Sequence, residues 1–135
     1  MYFAFVVFLP ENTIFVTMYS FYYIKTCDTS LRILKQLPVD KFQLIDIKTH
    51  PLQVNQLEHL KALAGSYEAL FSRKAKKYKE MDLKNQNLNE MDYRRLLLDE
   101  YTFLKRPVVV MDLEIFVGSE KKNVKRLIEK FKNNI

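Results

Sequence analysis

The sequence predicts a single α/β domain with a mixed four-stranded sheet and an inserted helical subdomain. Three patterns support this prediction. An aromatic, strand-like run at 19–24 is followed by a helical pattern at 31–37. A hairpin pattern covers 108–117, and the last helical pattern has apolar residues at i, i+3, i+4 and i+7. With 135 residues, the chain has room for one hydrophobic core.

The composition favours a globular protein of a reducing compartment, and we expect a cytoplasmic monomer. Hydrophobic residues make up 48% and charged residues 28%, while only two glycines and four prolines argue against a loop-rich chain. The single cysteine excludes an intramolecular disulfide and leaves its thiol free for chemistry. No zinc-ligand spacing or phosphate-binding loop is present, so the sequence predicts no metal site and no bound cofactor.

The net charge of +6 has two explanations. It could attract an anionic substrate or a nucleic acid. It could also come from lysines that cover solvated helix faces, which is the interpretation we favour.

Residues 1–17 are predicted to be an accessory extension, and the domain is predicted to cover 18–135. The apolar run at 1–9 is about half the length needed to span a membrane. It also lacks the basic start and the cleavage pattern of a signal peptide, so no membrane association is expected. Met18 directly precedes the first convincing strand. The alternative is that the segment adds an edge strand to the sheet.

The stretch at 19–38 contains the only candidate nucleophile. The strand ends in the polar turn Lys25-Thr26, Cys27 follows, and the helix after it stops at Pro38. Unpaired N–H groups and the positive end of the helix dipole favour a thiolate at such a position. Ser30 can donate to that thiolate, whereas the carboxylate of Asp28 opposes it. A strand, a Cys-x-x-Ser turn and a helix form the layout of a thioredoxin-like redox site in monothiol form.

The remaining elements follow in an order that agrees with this layout. A second, parallel strand is predicted at 42–47, followed by a helix that stops at Gly65. Short helices at 66–81 and a helix capped by Asn89 form the insert. The hairpin and the final helix complete a thioredoxin-like order of strand, helix, strand, insert, strand, strand and helix.

Four stretches carry a resemblance to a known family. They are KTCDTS at 25–30, ALFSR at 69–73, FLKRPVVV at 103–110 and IFVG at 115–118. In type and order they resemble the arsenate reductase (ArsC) family of glutaredoxin-linked enzymes, together with its relatives Spx and YffB. The resemblance covers nearly the whole chain beyond the extension, and it implies a thioredoxin-like fold.

The resemblance also implies roles for individual residues. Cys27 matches the nucleophile, with Ser30 beside it as the second candidate catalytic residue. Arg73 and Arg106 match two of the arginines that hold the oxyanion, and a guanidinium fork suits such an anion. Pro107 matches the cis-proline that faces the active cysteine and begins a core strand.

Three positions depart from the arsenate-reducing members. Tyr23 stands where they have a histidine, and Leu31 stands where they have an arginine. A third anion-binding arginine is replaced by the Gly118-Ser119 region, which is more similar to the Spx and YffB branch. Reduction of a substrate other than arsenate is therefore compatible with the resemblance.

Two functions are compatible with these residues. The first is a thiol-dependent oxidoreductase that acts on a small oxyanion or a thiol substrate. Because no second cysteine exists, it needs an external thiol, for which glutathione or glutaredoxin is the natural donor. The alternative is an Spx-like regulator that binds RNA polymerase without catalytic turnover. Ser30 disfavours the regulator, since Spx-type redox switching generally uses a Cys-x-x-Cys pair.

Overall fold

The computed structural model describes residues 6–7 and 16–132, with side chains described from Met18 onward. The strands are β1 (Val6–Val7), β2 (Val16–Thr17), β3 (Tyr19–Tyr23), β4 (Phe42–Asp46), β5 (Val108–Met111) and β6 (Glu114–Val117). The helices are α1 (Asp28–Leu34), α2 (Val54–Ala64), α3 (Lys76–Glu80), α4 (Glu90–Asp99) and α5 (Lys121–Lys132). Single 3-10 turns lie at Val39–Lys41, Glu68–Leu70, Leu83–Asn85 and Tyr101–Phe103.

The main sheet has four strands in the order β4-β3-β5-β6. Strand β3 pairs in parallel with β4, and α1 forms the crossover between them. Strands β5 and β6 are antiparallel to their neighbours and form the hairpin that the sequence predicted. The structure thus confirms the α/β class and the mixed four-stranded sheet with its helical insert.

Both faces of the sheet are buried, because alternate side chains of β3 and β5 enter two different apolar clusters. Phe21 and Val109 pack toward α1 and α5, with Leu127 of α5 fully buried among them. Tyr22 and Val108 point the other way, toward α2, α4 and the insert. The result is a three-layer arrangement with β3, which leads to Cys27, in the centre of the sheet.

The helical insert is joined to the sheet next to the segment that carries Arg106. Ser72 donates its backbone N–H to the Phe103 carbonyl at 2.7 Å, and Lys105 donates to the Leu70 carbonyl at 2.9 Å. Phe71 lies inside this junction, stacked on Phe103 with ring centroids 4.9 Å apart. The junction therefore sets where the cleft residues of the insert lie relative to the sheet.

Most predicted elements end within one or two residues of the observed ones, but α1 ends at Leu34, three residues before the predicted end at Leu37. Gly65 ends α2 with a left-handed φ of 99°, and Asn89 caps α4 by accepting the Asp92 N–H. The Arg106–Pro107 peptide bond is cis and directly precedes β5, as predicted.

The described part of residues 1–17 forms a ladder of its own. Val6–Val7 pairs antiparallel with Val16–Thr17, and neither strand belongs to the four-stranded sheet. The other residues of this segment lie outside the described residues. Over the described part of the chain, no helix is long and apolar enough to cross a membrane.

Removal of residues 1–17 should leave the domain folded. Because the main sheet is complete without β1 and β2, a chain starting at Met18 should melt within a few degrees of the full chain. Thermal unfolding followed by circular dichroism would test this. A large drop in melting temperature would mean that the segment is an integral part of the fold.

Candidate active site

Cys27 lies at the point where β3 passes into α1, and it occupies the N-cap position of that helix. Its backbone N–H donates to the Ile24 carbonyl at 2.9 Å, and its carbonyl accepts from the Leu31 N–H at 3.0 Å. These two bonds hold the turn on both sides of the cysteine. The thiol is free and half-buried, so it is fixed in place while remaining within reach of a substrate.

Ser30 is fully buried one helical turn after Cys27. Its hydroxyl donates to the Cys27 Sγ at 3.3 Å. This donor position is the one predicted for Ser30, and a hydrogen bond to sulfur favours the thiolate over the thiol.

Arg106 approaches the same thiol from the loop before β5. Its Nη1 donates to the Thr102 carbonyl at 3.3 Å, which orients the guanidinium. Its Nε is buried and finds no acceptor within the described part of the chain. A buried donor without a partner is costly in a folded protein. An anion or a thiolate bound here would supply the missing acceptor.

These groups lower the pKa of Cys27 below that of an ordinary cysteine. Partial burial raises the pKa of the thiol, but the hydrogen bonds from Ser30 and the nearby Arg106 guanidinium outweigh burial. Asp28, which the sequence analysis expected to oppose the thiolate, is exposed and is not among the groups that move this pKa. Ser30 and Arg106 are therefore the two residues that favour the thiolate form of Cys27.

Arg73 lies at the edge of the same cleft, but its guanidinium already forms hydrogen bonds with neighbouring residues. Its Nη2 donates to Glu68 Oε2 at 2.7 Å and to the Tyr93 hydroxyl at 3.0 Å. The guanidinium also lies over the Tyr93 ring, 5.8 Å from its centroid. Arg73 is about half exposed, and it has no direct part in the lowered pKa of Cys27.

A cleft of about 360 Å³ brings the predicted site residues together. Its wall includes Cys27, Arg73 and Arg106, with Pro107 in the chain directly after Arg106. The cleft is also lined by residues that were not predicted as site residues: Thr29, Lys74, Lys105, Ser119 and Glu120. Lys105 could have been noticed, since it lies directly beside Arg106 in the FLKRPVVV stretch.

Gly118 directly follows β6 and lines the cleft. Its φ is 89°, in the left-handed region that favours glycine. Its N–H donates to the Pro107 carbonyl at 2.8 Å, which closes the end of the β5–β6 hairpin next to the cleft. A larger residue here would strain the backbone, and Lys105 already lies alongside.

Among the described residues, no three His, Cys, Asp or Glu side chains converge where they could hold a metal ion.

The sequence profile of the ArsC family matches residues 22–127, which is most of the chain. The chain belongs to the ArsC family. The match includes Cys27, Ser30, Arg73, Arg106 and Pro107, so all five predicted site residues lie inside the family region. Membership supports a thiol-dependent reductase at the level of the family. No curated protein matches the chain in sequence.

Solved structures confirm the thioredoxin-like fold of this ArsC-family protein. The arsenate reductase from Vibrio cholerae is 20% identical, with a TM-score of 0.68 over 83% of this chain and 96% of that chain. An arsenate reductase (ArsC) related protein from Brucella melitensis is 23% identical, with a TM-score of 0.63 over 81% and 92%. The protein SACOL0876 from Staphylococcus aureus COL is 30% identical, with a TM-score of 0.64 over 81% and 97%.

Ser30→Ala should shift the reactivity of this ArsC-family thiol to higher pH. The alkylation rate follows the thiolate, so it rises with pH and levels off above the thiol pKa. Loss of the hydroxyl donor to Sγ should raise that pKa and slow alkylation near neutral pH. Iodoacetamide labelling across a pH series measures the profile. Asp28→Asn is the control variant, and its alkylation rate should depend on pH as in the wild type. If Ser30→Ala and the wild type had the same pH profile, the role assigned to the Ser30 hydroxyl would be wrong.

Proposed function

We propose that this protein is a thiol-dependent oxidoreductase in which Cys27 is the nucleophile. The observation that carries the proposal is the convergence of a free thiol, a buried hydroxyl donor and an arginine in one cleft. A lowered thiol pKa increases the thiolate fraction near neutral pH, and the thiolate is the attacking species.

Arg106 is proposed to stabilise negative charge during the reaction. Its buried Nε has no acceptor within the described residues, while Nη1 is used by Thr102. A bound oxyanion or a departing thiolate can accept from this nitrogen through a charge-assisted hydrogen bond. Arg73 is proposed as a second anion contact at the cleft edge, although an incoming anion must share its guanidinium with Glu68.

The single cysteine determines how the reaction must be completed. With a disulfide substrate, the Cys27 thiolate attacks one sulfur, forms a mixed disulfide and releases the other sulfur as a thiolate. A second thiol must then attack the mixed disulfide to restore Cys27, since the chain has no other cysteine. Glutathione or glutaredoxin is the proposed donor, which fits a monomeric enzyme of the reducing cytoplasm.

The substrate is proposed to be a small oxyanion or a glutathionylated thiol, with slow turnover of arsenate. The named Vibrio cholerae relative is an arsenate reductase, but this chain has Gly118 near the cleft in place of a third arginine. One preorganised donor is often worth about a hundred- to thousandfold in rate. Sulfate or arsenate should still bind near Cys27, because the Arg106 guanidinium is retained. Production of arsenite should be slow, because one donor of the transition state is missing.

A coupled assay with glutathione and glutaredoxin tests the proposal. Arsenate, glutathione disulfide and a glutathionylated peptide are offered in parallel, with Cys27→Ser as the matched control. Turnover of one substrate that Cys27→Ser lacks would support the oxidoreductase. If no substrate turns over and the protein instead captures purified RNA polymerase, the Spx-like regulator would replace this function.

A further inference from the structure

A second groove lies between α1 and α5, next to the cleft that contains Cys27. Its volume is about 560 Å³, larger than that of the cysteine cleft. Thr29 and Ser119 line both depressions, so the groove continues directly from the cleft. A ligand bound along the groove could therefore present one end to the thiol.

The walls of this groove carry an excess of positive charge. Four cations line it against one carboxylate, that of Glu129: Arg32, Lys121, Lys125 and Lys132. Within the described part of the chain, none of the four forms an ion pair. By contrast, Arg126 and Lys130 on the same helix both pair with Glu114. The groove therefore has a local excess of positive charge, whereas the two paired cations of α5 contact the carboxylate of Glu114.

The floor of the groove is apolar. Ile33 of α1 and Val124 and Ile128 of α5 form it, and the aliphatic stems of the lysines extend it. No aromatic side chain is among the described lining residues, so the groove lacks the stacking surface that single-stranded nucleic acids use. An apolar floor between cationic walls suits a polypeptide with both acidic and aliphatic side chains.

We propose that the α1–α5 groove docks an acidic polypeptide segment of a protein whose disulfide reacts with Cys27. This inference rests on the proposed function and names its partner class. The Cys27 thiolate attacks the partner's sulfur in a mixed disulfide, the new Cys27–partner disulfide forms, and the original second sulfur leaves as a thiolate. In this proposal the groove binds the acidic segment of the partner, and the disulfide exchange takes place at Cys27 in the neighbouring cleft.

Two synthetic peptides test the groove. Both contain one cysteine activated as a disulfide with 2-thiopyridine, so attack by Cys27 releases the thiopyridone chromophore. One peptide carries glutamates and leucines, and the other has glutamine at each glutamate position. At low salt, the acidic peptide should react at least about tenfold faster, because complementary charge raises encounter rates. High salt should remove most of this preference.

Charge-reversing variants test whether the α1–α5 groove causes the preference for the acidic peptide. Lys121→Glu combined with Lys125→Glu should reduce the ratio of acidic to neutral peptide rates to near one. Lys79→Glu combined with Lys84→Glu changes the net charge equally at exposed positions outside the groove, and it should keep the preference. Circular dichroism checks folding, and the salt series on the wild type tests the proposal independently of any variant.

The outcomes separate this inference from the proposed function. Slow reaction of Cys27 with neutral 2,2′-dithiodipyridine would overturn the oxidoreductase itself. Fast reaction with that reagent, but equal rates for the two peptides, would overturn only the docking groove. If a single-stranded oligonucleotide binds with an affinity that depends on Lys121 and Lys125 while the peptides react alike, the groove is a nucleic-acid surface instead.

Discussion

Arg106→Ala should reduce thiol-dependent turnover about a hundred- to thousandfold, the effect typical of losing one preorganised donor. The same change should raise the pKa of Cys27, because the guanidinium is one of the two groups that lower it. Coupled turnover and the pH profile of alkylation measure the two effects separately. If Arg106 acts on the reacting sulfur, the turnover rate should fall and the pKa of Cys27 should rise in the same variant.

Arg106→Lys is the matched control for this prediction. It keeps a positive charge but lacks the planar fork, so it should recover part of the pKa effect and little of the turnover. Neither variant should unfold the protein, since the hydrogen bonds of the guanidinium within the described residues go to the Thr102 carbonyl and the Cys27 thiol and join no core elements. If Arg106→Ala turned over substrate at the wild-type rate, the proposed role of Arg106 in the reaction would be wrong.

Phe71→Ala should cost about 3–5 kcal/mol of unfolding free energy, as is usual for a large buried aromatic. Phe71 is fully buried. Its ring lies 4.9 Å from Phe103 and from Tyr93, and 6.1 Å from Tyr78. No single neighbour can fill the space left by its removal. Denaturant unfolding at equilibrium measures the loss.

Met91→Ala is the control, because Met91 is in the same insert but is 62% exposed. It should change the unfolding free energy by less than about 0.5 kcal/mol. A small effect of Phe71→Ala would show that the insert collapses around the cavity and that the aromatic cluster is not essential to the fold.

Local patterns were sufficient to predict the fold class and the centre of the site. The run before Cys27, the turn itself and the following leucines are contiguous, so strand, thiol and helix could be placed from neighbouring residues alone. Pro107 ahead of three valines likewise predicted the start of β5. The boundaries differ by up to three residues, as at the end of α1, because helix ends fray and often tighten into other turns.

The hydrogen-bond partners of Arg73 could not be predicted from local sequence patterns. Its sequence match predicts an anion contact, and the structure does place it on the cleft wall. Its bond to Tyr93, however, joins residues that are 20 positions apart in the chain. Whether an arginine is available to a substrate depends on which acceptors the fold brings to it, and sequence spacing carries no information about that.

The sequence by itself determined the α/β thioredoxin-like class and the presence of a single thiol, because these follow from contiguous patterns and from residue counts. Only the tertiary structure decided that Arg106 lowers the pKa of Cys27 while Arg73 does not, and which cations line the α1–α5 groove. Arg106 meets Cys27, and α5 lies against α1, only after the sheet has assembled between distant strands. Such contacts arise from packing over long sequence separations, which local periodicity does not encode.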